Sequence, residues 1–252
     1  MIENVNPGFH SNIHLSAFDN YNIVYYKTDN QQRNQNGDFT MTKKRVTTDA
    51  PEFNNHPIQT DKDKGLRCDK KILKKIDETD AHARTNDRVM FMRYDVGAPA
   101  GYDDPSNDAF RSGQANFIKT LKRSGLSPRY VAVREQSREK LQHYHVCLWL
   151  DGRKTQSIYD HIAQANDSFA SAFGVPDNNG LVDDCTEDKN GKPQENGIML
   201  RKDDPDYQNK VAQTLEWASY LAKVNQKNTP PGTRELFSSR LTKKKKNDKK
   251  ST

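Results

Sequence analysis

Two strand-like runs, Pro128–Glu135 (PRYVAVRE) and Gln142–Leu150 (QHYHVCLWL), follow one another with only a short stretch between them. So short a connection makes them an antiparallel hairpin, turning near Glu139. The flanking segments must be fitted around that hairpin. Upstream, Arg88–Val96 (RVMFMRYDV) reads as a buried strand and Gly97–Pro105 as a loop broken by glycine and proline. Ser106 is a suitable cap for a helix over Asn107–Ser124, with Phe110, Phe117, Ile118 and Leu121 as its apolar residues and Gly125 at its end. Downstream, Thr155–Phe173 reads as a helix. Short strands follow near Gly180–Cys185 and Gly197–Arg201, separated by the polar Thr186–Asn196. Asp204 and Pro205 open a long helix running to about Gln226, and Thr229-Pro230-Pro231-Gly232 stops it. A further helix begins near Lys64, with Leu66, Ile72, Leu73 and Ile76 at helical spacing. The order β-α-β-β-α-β-β-α predicts an α+β fold over residues 63–241: a central antiparallel five-stranded sheet with flanking helices.

The two ends differ from this core. Residues 1–62 are rich in Asn, Asp, Gln and Thr and are expected to be a polar extension, partly ordered at best. Within it Asn22–Lys27 (NIVYYK) looks like a strand and Gln31–Asp38 like a loop. Residues 242–252 form a basic tail. The net charge of +6 is mostly this tail, since Lys243–Thr252 holds six lysines and one aspartate. Local charge is more informative: Lys119–Lys140 carries seven basic residues against Glu135 and Glu139. The three cysteines are scattered without a CxxC pair, which fits free thiols in a reducing cytoplasm and neither a disulfide framework nor a zinc knuckle. No secretory signal and no run of apolar residues long enough to span a membrane is present.

His143 and His145 lie two apart on one predicted strand, so their imidazoles share a face. If the hairpin turns near Glu139, Glu135 lies opposite His143, and a carboxylate joins the two imidazoles. Such a set suits Mn²⁺ or Mg²⁺ when water and phosphate oxygens complete the shell, and leaves positions open to a substrate. Gln136 and Gln142 are weaker alternatives to Glu135.

A metal beside a phosphate does not choose the attacking group. The last helix contains Tyr-x-x-Lys twice, at Tyr207/Lys210 and Tyr220/Lys223. On a helical wheel Tyr207 sits at the edge of the face formed by Val211, Leu215, Ala218 and Ala222, as a core aromatic would. Tyr220 lies on the opposite side with Glu216, Lys223 and Lys227. It is the better nucleophile, with Lys223 one turn on to stabilise phenolate or phosphate charge.

With these residues the chain resembles the HUH endonucleases. HYHVCLWL is similar to their histidine-hydrophobe-histidine motif, and YLAK at Tyr220–Lys223 to their Tyr-x-x-Lys motif. Glu135, eight residues before His143, resembles the third metal ligand of replication initiators. RVMFMRYDV resembles their first conserved strand, and RELFSSRL a run in the replication proteins of filamentous phages and related prophages. The resemblance spans residues 65 to 241. It implies a ferredoxin-like (RRM-like) sheet and rolling-circle initiation: the tyrosine attacks a single-stranded origin, forms a 5′-phosphotyrosine link and frees a 3′-OH. It also implies a host polymerase and, since no GxxxxGK[ST] loop occurs in the chain, a host helicase. Tyr207 is the candidate for any second nucleophile. Arg134, Arg138 and Lys140 in the basic island, Arg93 on the first strand and Lys227 after Tyr220 are candidate DNA contacts. Two rivals stand beside this reading: a non-catalytic DNA-binding regulator on the same fold, and a nuclease in which the metal activates water.

Overall fold

The computed structural model describes residues 31–33, 39–41 and 45–241, except 103, 137–141, 177–179, 189, 225, 226, 228, 230 and 231. The chain divides into two units, residues 1–44 and 45–252. In the first, Gln31–Arg33 pairs antiparallel with Phe39–Met41. Residues 31–33, expected in a loop, form a strand instead; the rest of that expected loop, 34–38, lies outside the described residues. The expected strand Asn22–Lys27 and the lysine tail lie outside the described residues.

The second unit is built on one large antiparallel sheet. Its strands are β1 (Arg88–Gly97), β2 (Arg129–Glu135), β3 (His143–Asp151), β4 (Val182–Asp183), β5 (Ile198–Arg201) and β6 (Leu236–Ser238). Across the sheet the order is β4 and β5 on one edge of β1, then β3, β2 and β6, every pairing antiparallel. The predicted α+β class holds in this coarse form. The sixth strand is additional to the five expected: Leu236–Ser238 is too short to stand out by alternation, and pairs with Val131–Val133.

Alternation along the strands splits the core in two. Met90, Met92, Tyr94, Val146, Leu148 and Leu150 face helices α2 (Asp108–Arg123) and α3 (Tyr159–Phe173). Val89, Phe91, Val131, Val133, Cys147 and Trp149 face α1 (Lys70–Ala83) and α4 (Tyr207–Ser219). The three long central strands therefore read as near-continuous apolar runs, because both faces are covered. Trp149 ties the second layer to the sheet, its Nε1 donating to Asp80 of α1 at 3.1 Å.

Helices α3 and α4 begin at Tyr159 and Tyr207, later than the expected Thr155 and Pro205; two further helix boundaries differ from expectation for one reason. The helix expected from Lys64 begins at Lys70, because Cys68–Asp69 is extended and paired with Thr47–Thr48, and Asp69 caps the helix by accepting from the Lys71 backbone N–H at 2.8 Å. The last helix, expected to reach Gln226, tightens to a 3-10 turn at Tyr220–Ala222 and ends. Lys223 then bridges Cys68, and the Val224 N–H donates to the Arg67 carbonyl at 2.9 Å. Strand-type pairing with residues 67–69 thus displaces helix at both places. It also places residues 45–62 inside the compact unit, short of the boundary expected at 62. Ile58 is buried against α1 and α4, and the Gln59 N–H donates to Ser219 Oγ at 2.8 Å. Ile58 is one apolar anchor in a polar stretch, so composition alone hides it.

Candidate metal centre

The strand register assembles the centre. In the β1–β3 pairing Asp95 stands opposite His145 and Gly97 opposite His143; in the β2–β3 pairing Glu135 stands opposite His143. Side chains at these positions share the sheet face that α4 covers. Asp95 Oδ2 lies 2.8 Å from His145 Nδ1 and 3.4 Å from His143 Nε2. Asp95, His143 and His145 offer ligand atoms that all lie within 4.8 Å of one another, so the trio can hold a metal ion. The donors fit that role chemically: two imidazoles and a carboxylate, at the end of a sheet, with an open side. His143 gives the opening, its side chain 33% exposed against 5% for His145 and 13% for Asp95.

Glu135 is close but differently engaged. Its Oε2 faces His145 Nε2 at 3.1 Å and its Oε1 accepts from Lys227 Nζ at 3.1 Å. The carboxylate within the trio is thus Asp95, and Glu135 holds the far nitrogen of His145. A ligating imidazole commonly has its second ring N–H held by a carboxylate, which fixes its orientation. Burial opposes charge on all these groups. For Asp95, hydrogen bonds from the two histidines and the charge of Arg93 outweigh it and hold the carboxyl well below its ordinary range. For His145, the two flanking carboxylates outweigh it and raise its pKa. For Lys227, burial prevails over the attraction of Glu135 and lowers its pKa.

Tyr220 stands over this group. Its ring meets His145 edge-on, and the Arg93 guanidinium and Lys223 ammonium each lie 4.2 Å from its centroid. Burial lifts the Tyr220 phenol above its ordinary pKa, against the pull of Arg93, and lowers that of Lys223. Tyr220 owes this position to the end of α4: the 3-10 turn and the bridge at Lys223 aim it at the sheet.

On the outer edge of β1 a gap separates β4 from β5. Asn196 fills it: its side-chain oxygen accepts from the Arg93 N–H at 3.0 Å and its amide donates to the Arg93 carbonyl at 2.7 Å and to the Asp184 carbonyl. A side-chain amide thus replaces a strand peptide beside Arg93 and Asp95.

Of the other expected site residues, Arg93 and Lys227 are buried at the centre and the rest fall elsewhere. Arg134 is fully buried and donates to the Pro105 carbonyl, Asn107 and Gln136; its position beside a charged turn suggested DNA, but its side chain points into the α2 layer. Lys227 is likewise buried, donating to Glu135 and the Leu221 carbonyl, so its ammonium is committed within the protein. Arg93 is 8% exposed and paired with Asp95. Tyr207 packs at the edge of the α1–α4 core, and its hydroxyl accepts from Arg84 at 3.3 Å, away from the centre. Arg138 and Lys140 lie outside the described residues. Asp95 was missed; an acid interrupting the apolar run RVMFMRYDV, on the same parity as Arg93, was its available signal.

The fold and the centre define a sheet-based domain that can carry a metal ion. The chain belongs to the family described as the YagK/YfjJ C-terminal domain, whose model matches residues 48–239. No curated protein and no solved structure matches it.

Proposed function

We propose that this protein is a metal-dependent enzyme that nicks and rejoins single-stranded DNA through a covalent tyrosine intermediate, as rolling-circle initiators of the HUH type do. The observation that carries the reading is the seat of Tyr220, its ring 5.0 Å from that of His145 and flanked by Arg93 and Lys223. A tyrosine positioned only for packing needs neither neighbour. The ferredoxin-like version of the α+β fold is part of the same proposal. Its support is the central β1–β3–β2 arrangement with the histidines on the middle strand.

In the reaction the Tyr220 oxygen forms a bond to the phosphorus, the bond from phosphorus to the 3′ oxygen breaks, and that oxygen leaves as a 3′-OH after taking a proton. Attack by a 3′-OH on the phosphotyrosine reverses the step and reseals a strand. Burial makes the phenol a weaker acid than usual, so its proton must be removed as the bond to phosphorus forms, to solvent or to the departing oxygen. The Arg93 guanidinium and the Lys223 ammonium lie against the Tyr220 ring, each 4.2 Å from its centroid, and would offset negative charge as it develops on the phenol. Asp95, His143 and His145 would hold a divalent ion of the Mn²⁺ or Mg²⁺ kind, whose contribution is to neutralise charge on the scissile phosphate.

The test is incubation with Mn²⁺ and end-labelled single-stranded DNA of randomised sequence, followed by denaturing gels. A protein-linked 3′-side fragment, lost with Tyr220→Phe and with His143→Ala but kept with Tyr207→Phe, is the expected result. Cleavage that survives Tyr220→Phe and leaves no adduct would replace this reading with a water-using nuclease. DNA binding without cleavage would leave a regulator.

A further inference from the structure

On the sheet face opposite the metal centre a cavity of about 350 Å³ opens between α2 and the β2–β6 edge. That volume lies in the range of small-molecule sites. One wall is apolar, formed by Phe110, Ile118, Tyr130 and Phe237. Three cationic side chains line it as well, Arg111, Lys122 and Arg240, with no aspartate or glutamate among the lining residues; the neighbouring Arg129 shares the parity of Val131 and turns to the α1 face, where it donates to the Ser127 and Pro128 carbonyls. Arg111 is bonded to Asp108 at 3.2 Å, which leaves Lys122 and Arg240 as the net charge of the site. Gln114 also lines the cavity; it is 2% exposed, its oxygen accepts from Tyr94, and its amide Nε2 is buried without a hydrogen-bond partner. Buried donors are nearly always satisfied, so an idle one at the cavity wall points to an acceptor that belongs there.

We propose that this cavity binds a nucleotide. A planar base suits the aromatic wall, a base carbonyl suits the Gln114 amide, and a phosphate suits the two cations Lys122 and Arg240. The occupant is either a free nucleotide or one residue of a single strand crossing the β6 edge. The site is separate from the metal centre and does not depend on the reading of that centre.

The experiment uses the full chain in EDTA, which silences any divalent ion. Binding of each of the four deoxynucleoside monophosphates is measured by calorimetry, and binding of a labelled single-stranded DNA of randomised sequence by anisotropy. Saturable binding of one or more of these probes is expected. It should weaken at least ~10-fold in Lys122→Glu/Arg240→Glu, two exposed positions, and be unchanged in His143→Ala. Lys71→Glu/Lys74→Glu, on α1, makes the same change of net charge and should cost far less; the lysine tail is kept in every variant. Binding of a monophosphate identifies a free nucleotide as the ligand, and binding of the strand alone identifies a nucleotide within DNA. No binding of any probe, or equal losses in the two double variants, overturns the proposal.

Discussion

The ring of Tyr220 meets the ring of His145 edge-on, with centroids 5.0 Å apart and planes at 86°. That contact brings the end of α4 onto the centre of the sheet, and Lys223 rides with it, its ammonium 4.2 Å from the phenol ring. If the lysine stabilises charge at the attacking oxygen, Lys223→Gln should slow formation of the protein–DNA adduct by about 10²-fold, the scale of losing one preorganised donor. Mn²⁺ affinity should stay within error, since the lysine touches none of Asp95, His143 and His145. Single-turnover adduct formation and metal titration on the same preparation check this. A parallel fall in both would mean that Lys223 acts only by holding the local structure.

Asp95 and Glu135 both contact His145, and their roles separate by magnitude. Asp95→Asn removes a carboxylate from the trio and should nearly abolish Mn²⁺ binding. Glu135→Gln leaves the trio intact and weakens only the support of His145, so affinity should fall by about 10–100-fold. Electron paramagnetic resonance of free Mn²⁺ reads both. The reverse ranking would restore Glu135 as the direct ligand. In the native protein, Mn²⁺ at a hundred times its Kd should add about 2.7 kcal/mol of stability, and EDTA should remove it.

How much of this was legible in the sequence depends on the range of the cause. The three long strands, α2 and α3 were readable, because each follows from local periodicity and nearby turn residues. The hairpin register was readable too: Glu135 does stand opposite His143. What the register could not tell was where the Glu135 carboxylate would turn, since that depends on Lys227, an ammonium held 92 residues away. The end of α4 was hidden similarly, because Lys223 is drawn out of the helix by Cys68. Wheel geometry put Tyr220 on a polar side of a longer helix; in the structure that side faces charged groups of the sheet. Asp95 was concealed by its setting in an apolar strand, where an acid reads as an exception until the opposite histidines are paired with it.

Arg134 offers a sharp test of structure against charge counting. Its guanidinium holds the Pro105 carbonyl at 2.8 Å and Asn107 Oδ1 at 3.1 Å, pinning the start of α2. Arg134→Ala should therefore lose about 2–4 kcal/mol of stability, the scale of breaking a buried hydrogen-bond network. Chemical denaturation checks it. A DNA contact would instead leave the denaturation midpoint unchanged and reduce the salt dependence of DNA binding.

The packing of α2 on α3 makes the last prediction. A Cβ at Gly113 would lie 2.4 Å from Cδ1 and 2.9 Å from Cε1 of Phe169, a fully buried ring that stacks against Phe110. Alanine favours a helix over glycine by about 1 kcal/mol, so an open site would gain from Gly113→Ala. Here the ring cannot retreat, because it fills the layer between the helices, and overpacking of a tight core costs about 1–3 kcal/mol. Gly113→Ala should be net destabilising. Phe169→Leu should be destabilising as well, through lost apolar burial. Together the two should cost less than their sum, because the smaller side chain makes room for the new methyl group, and a double-mutant cycle in urea measures that coupling. Strict additivity would mean that α2 and α3 move apart freely and that their close approach at Gly113 is not enforced by the core.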